Sequence, residues 1–147
     1  MAIHYLLRGP MDRLVLPAAV ECPERGDDLW RGTCLEFFLA PRGDQSYWEF
    51  NLSPAGHWNA YHFSGYRSGM APDPGYASLP FQVCATADAL SLDLEWALPA
   101  ALADDQPLEL GVCAVIVLRG GELSYWALAH PGAEPDFHRR DGFRILI

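Results

Sequence analysis

Short apolar runs recur along the 147 residues, at about 2–8, 12–19, 33–40, 46–53, 58–63, 81–87, 90–97, 108–118 and 123–130. Each is bounded by Gly, Pro, Asp or Ser clusters, the punctuation of hairpins and sandwich loops, so the pattern predicts strands throughout. The segment Pro99-Ala-Ala-Leu-Ala-Asp104 is the one helical candidate, with proline at a first-turn position and Gln106-Pro107 to stop it. Pro23–Gly32 and Tyr66–Pro80 are polar or rich in Gly and Pro and read as surface loops. The expected fold is an all-β, antiparallel two-sheet β-sandwich, one domain over 1–147.

The hairpin formed by residues 33–40 and 46–53 carries the most information. Side chains alternate faces along a strand, and a one-residue slip exchanges them. One parity separates the residue types cleanly: Leu35, Phe37, Leu39, Trp48, Phe50 and Leu52 form an apolar face, while Cys34, Glu36, Phe38, Tyr47, Glu49, Asn51 and Ser53 form the other. The first face is core. The second combines two carboxylates, an amide and aromatic rings, which suits a wet concave surface. In the next strand Trp58 and Tyr61 have opposite parity, so only one of them joins the polar face, and the sequence leaves open which.

Sugars offer hydroxyls to hydrogen-bond and C–H patches to stack, and Glu, Asn, Trp and Tyr supply both kinds of contact. The polar face is therefore a candidate saccharide site, with Arg67 beside Tyr66 as a hydrogen-bonding rim. The competing reading has Glu36 and Glu49 solvated across the strands, or paired with Arg67, Arg139 or Arg140. Two carboxylates on one face are also a glycosidase arrangement, but nothing in the sequence signals the deep pocket that raises the pKa of a catalytic acid. The segment Asp136-Phe-His-Arg-Arg-Asp141 reads as a charged loop rather than a metal or triad site.

Composition narrows the partners. The net charge is −9, and all ten basic residues are Arg, only Arg139 and Arg140 being adjacent. Nucleic acid and anionic membrane both reward clustered basic residues and are not expected as partners. Residues 1–10 lack an apolar stretch behind a basic flank, and no run approaches a membrane span, so a cytoplasmic address is expected. Cys34, Cys84 and Cys113 read as buried hydrophobes. Asp27, Asp28, Asp104 and Asp105 could coordinate calcium but read as solvated pairs.

Several segments carry a family resemblance: Leu29-Trp30, Thr33-Cys34-Leu35-Glu36-Phe37-Phe38, Tyr47 to Pro54 with Gly56 and Trp58, Ser124 to Leu128 with His130-Pro131, and Pro135 to His138. Together they resemble bacterial DOMON-like proteins, relatives of family-nine carbohydrate-binding modules and DOMON domains. The resemblance covers about 5–147 and implies a β-sandwich that holds a sugar or a haem at one sheet. In the carbohydrate-binding relatives a Trp precedes a Glu-bearing strand as W-x-x-x-x-x-E, matched by Trp30 and Glu36, and the following strand's ligand contacts map onto Glu49 and Asn51. Those relatives complete an aromatic clamp with a second Trp in a late loop, where this chain has Asp136-Phe137-His138; Phe137, His138 or Trp126 would have to replace it. The haem-binding relatives use Met with His or Lys, which here leaves Met70, His130 and His138.

The expected function is thus a non-catalytic module without a cofactor or metal, binding a small saccharide. Its candidate site residues are Trp30, Glu36, Glu49, Asn51, Arg67, Trp126, His130, Asp136 and His138. Haem binding and a dimerisation surface are the alternatives.

Overall fold

The computed structural model describes residues 1–102 and 106–147. Its strands in chain order are β1 (Ala2–Arg8), β2 (Cys34–Pro41), β3 (Tyr47–Leu52), β4 (Trp58–Phe63), β5 (Ala71–Pro72), β6 (Phe81–Ala85), β7 (Ala89–Glu95), β8 (Leu108–Val117), β9 (Leu123–Ala127) and β10 (Ile145–Leu146). They form two antiparallel sheets, ordered β1-β7-β6 and β10-β8-β2-β3-β4-β5, with β9 beside β10 on the same edge of β8. The result is an all-β sandwich.

Alternation dictates what lies between the sheets. In β7, Leu90, Leu92 and Leu94 point inward while Asp93 and Glu95 point to solvent. Leu92 and Leu94 meet Leu35, Phe37, Leu39, Trp48, Phe50 and Leu52, the apolar face that parity predicts for the hairpin. Phe37 and Phe50 stack at 4.4 Å, and Trp96 closes on Phe37 at 4.7 Å. The Tyr5 hydroxyl crosses from the smaller sheet to donate to the Glu36 carbonyl at 2.7 Å.

The larger sheet is covered on its outer face as well, and every residue of β2 and β3 is buried. A second cluster of Phe38, Tyr47, Tyr61, Phe63 and Phe143 sits there, with Trp30 and Phe137 packed against it. Phe143 lies directly on Gly111 of β8, where a Cβ would come within 2.8 Å of its ring. A side chain at 111 would lift this cover off the sheet.

The structure departs from the sequence pattern in five places. Residues 12–19 make no strand: Met11–Arg13 is a 3-10 turn, Leu14 and Val15 pair briefly with the end of β8, and Pro17 has no N–H to continue. The expected helix at 99–104 is, in its described part, only a turn closed by Leu102 N–H onto the Pro99 carbonyl; residues 103–105 lie outside the described residues. The short β5 arises inside a segment read as loop, and β10 was not signalled. Cys84 is exposed, because Phe81 and Val83 take the inward positions of β6. Among the described residues no helix is long and apolar enough to cross a membrane.

Phe37 is central to the inner core, so Phe37→Ala is expected to destabilise the fold by about 3–5 kcal/mol, read as a lower denaturant midpoint at unchanged slope.

Candidate functional site

Strand pairing sets the floor of the outer-face site. Phe38 stands opposite Glu49 and Glu36 opposite Asn51, so the two carboxylates are diagonal neighbours on adjacent strands. On the other side of β3, Glu49 faces Tyr61 and Asn51 faces Asn59. Tyr61 therefore shares the polar face, and Trp58 belongs to the inner core.

Above this floor is a pocket of about 350 Å³, walled by Trp30, Phe63, Tyr125 and Phe137, with Arg67, Met70 and His138 at its side. Trp30 comes from the 3-10 turn Leu29–Arg31, entered through Asp28 in the left-handed conformation, and it meets Tyr61 edge-on at 5.9 Å. Phe137 and Tyr125 meet at 6.1 Å on the opposite wall. The polar face is thus not an open wet surface, as its composition suggests, but a floor under aromatic cover.

That cover governs the electrostatics. Glu36 and Glu49 are 2% and 4% exposed, and Asn51 is fully buried. Asn51 Nδ2 donates to Glu49 Oε1 at 2.9 Å, and the Cys113 thiol lies 4.0 Å from Glu36 Oε2. Among the described residues Glu36 Oε1 has no hydrogen-bond partner. Burial disfavours the charged form, which pushes Glu49 up to about 7, the Asn51 bond and Arg67 offsetting part of the rise. Burial, and then the charge of Glu49, pushes Glu36 up to about 8.

His138 is held neutral. Burial comes first and the nearby Arg67 second in lowering it to about 4. The Arg67 backbone N–H donates to the Tyr47 hydroxyl at 3.2 Å, so the single hydroxyl proton is directed to His138 Nδ1 at 2.7 Å. The tautomer that satisfies this chain carries its proton on Nε2, which faces Glu49 Oε2 at 3.9 Å. Arg67 itself adopts a left-handed backbone, with φ of 49°, to make that bond. Its guanidinium pairs with Asp136 at 2.9 Å rather than with Glu49, and the Tyr66 hydroxyl donates to the same carboxylate at 2.5 Å.

Of the residues singled out in the sequence, the structure gathers Trp30, Glu36, Glu49, Arg67 and His138 around the pocket. Asn51 supports Glu49 from beneath, and Asp136 anchors Arg67 at the rim. His130 stands behind Phe137, 6.1 Å from its ring. Trp126 lies on the opposite sheet face, 59% exposed, with its indole N–H on Ser124 Oγ. Its neighbour Tyr125 takes the pocket-facing parity, opposite Val115. The sequence reading missed Tyr125 and Phe63; the parity of β4 points to Phe63 once Tyr61 is placed.

Metal and haem chemistry can be compared with this arrangement. Among the described residues no group of three His, Cys, Asp or Glu is placed to hold a metal. Asp27 accepts from Tyr61, Asp28 pairs with Arg31, and Asp104 and Asp105 lie outside the described residues. Met70 and His138 both border the pocket, but the residues do not fit haem, because the Glu49 carboxylate faces His138 Nε2 at 3.9 Å, too close to admit a macrocycle on that nitrogen.

No family model matches the chain, and no curated protein matches it by sequence. A solved structure from Bacteroides uniformis, provisionally named a carbohydrate-binding protein, superimposes with a TM-score of 0.65 at 15% identity. The match covers 97% of this chain and 70% of that one. At this identity the likeness establishes a shared fold.

The raised carboxyl groups and the lowered His138 make stability pH-dependent in opposite directions. His138 costs stability only as pH falls below its ordinary 6.5. Glu36 and Glu49 favour the folded state while protonated, and that contribution is lost as pH rises through about 7 and 8. Between about pH 6.5 and 8.5 the melting temperature is therefore expected to fall, and Glu36→Gln to flatten the fall. Differential scanning fluorimetry across that range checks both.

Proposed function

We propose that this protein is a non-catalytic saccharide-binding module and that its ligand enters the outer-face pocket. The observation that carries the reading is the pairing of aromatic walls with a carboxylate floor in one cavity of about 350 Å³, within the usual size range of small-molecule sites. Trp30 on one side and Phe137 with Tyr125 on the other offer flat apolar faces for the C–H side of a sugar ring. Glu36, Glu49, Arg67 and His138 offer acceptors and donors for its hydroxyls.

Two further points support the reading. The resemblance to family-nine carbohydrate-binding modules maps ligand contacts onto Trp30 and Glu36, and these residues share the pocket with Phe137 and His138, two of the side chains expected to replace the second indole. The similarly folded Bacteroides uniformis protein carries a carbohydrate-binding name. Binding fits the geometry better than hydrolysis. Burial does raise both carboxyl groups, as a general acid requires. Yet Glu36 and Glu49 stand on neighbouring strands of one floor, whereas a glycosidase holds the scissile bond between two carboxyl groups that flank it.

A glycan screen followed by calorimetry tests the site. Trp30→Ala is expected to weaken the best-bound sugar roughly tenfold, about 1.4 kcal/mol, while Trp126→Ala on the other face leaves it unchanged. Equal affinity in wild type and Trp30→Ala would remove the stacking role.

A further inference from the structure

We propose that the ligand carries a basic nitrogen, an ammonium that Glu36 and Glu49 accept, so that the pocket selects an amino sugar over its neutral or N-acetylated counterpart. The inference rests on the saccharide reading and deepens it.

The first observation is an acceptor without a donor. Glu36 lines the pocket, is 2% exposed, and among the described residues its Oε1 has no hydrogen-bond partner. A buried carboxylate oxygen left unpaired is costly, and a site that keeps one is shaped for a donor brought by the ligand. Glu49 adds a second. Its Oε1 is taken by Asn51, while its Oε2 has only the long 3.9 Å approach of His138 Nε2.

The second observation is charge. Two carboxyl groups share a desolvated floor that disfavours their charged form, and among the described residues no Arg pairs with either. Arg67, beside the pocket, is committed to Asp136 at 2.9 Å, and His138 is held neutral by burial and by Arg67, its Nδ1 accepting a hydrogen bond from the Tyr47 hydroxyl. The other titratable groups around the floor are the thiols of Cys34 and Cys113 and the phenol of Tyr61, none of which brings positive charge. Sugar hydroxyls could donate to these oxygens but bring no charge that would let the carboxyl groups ionise in a poorly solvated site. An ammonium supplies three donors and the missing charge together. The aromatic walls favour a cation too, since ring faces attract one while stacking on the sugar.

An acetamido group lacks the charge and is bulkier, so N-acetylation should abolish the advantage. Calorimetry at neutral pH with glucosamine, galactosamine and mannosamine, their parent hexoses, their N-acetyl forms and cyclohexylamine tests this. At least one free hexosamine is expected to bind ten-fold or more tightly than its parent and N-acetyl forms. Glu36→Gln, an isosteric change, is expected to bring it down to the parent's affinity, and Glu49→Gln to weaken it in the same direction. Parent hexoses that bind as well as the hexosamines, or a preference that survives both substitutions, would overturn the ammonium site and leave the saccharide reading standing. Binding of cyclohexylamine but of no sugar would uphold the ammonium site and overturn the saccharide reading. No binding by any of these probes would overturn both.

Discussion

Two carboxyl groups on the outer face of the central strands, covered and without a cation, set the terms for the rest of this molecule. Burial of an ionised carboxylate is among the most costly events in folding, and proteins ordinarily pair it or leave it in water. Here β2 and β3 bring Glu36 and Glu49 together, and the turn bearing Trp30 and the late loop bearing Phe137, His138 and Phe143 close over them. The inner core supplies the stability that allows this, through the Phe37–Phe50–Trp96 stack and the three inward leucines of β7. Burial and the nearby Arg67 keep His138 neutral beside a carboxyl group that it would otherwise neutralise, and the chain from the Arg67 N–H through Tyr47 orients its ring.

Much of this architecture was legible in the sequence, for a definite reason. A period of two along β2 and β3 admits only one parity that gives a wholly apolar face, and the structure has that register. Glu36 was legible through parity and Trp30 through the family resemblance, and both line the pocket. The choice between Trp58 and Tyr61 was not, because both parities of β4 carry aromatic side chains; the pairing of Glu49 with Tyr61 decides it. The same ambiguity hid Tyr125 behind Trp126, two adjacent rings of which only one can face the floor.

The environment of the polar face was the least legible feature. Alternation identifies which side chains share a face but not what lies above it, and loop segments far along the chain provide that cover. Gly111 shows the difficulty: its lack of a side chain lets Phe143 seat on the sheet, yet within an apolar strand it gives no local sign of that use. The same distant cover turns ordinary surface glutamates into groups with displaced protonation, a property no local pattern encodes.

The protonation of that pair can be observed directly. A ¹³C NMR titration of the glutamate side-chain carboxyl carbons in the ligand-free protein, assigned with Glu36→Gln and Glu49→Gln, reports each group by itself. The account predicts two carboxyl groups that release their protons near pH 7 and 8. Titration of both near 4.5, the ordinary glutamate value, would contradict it and return the pair to a solvated surface.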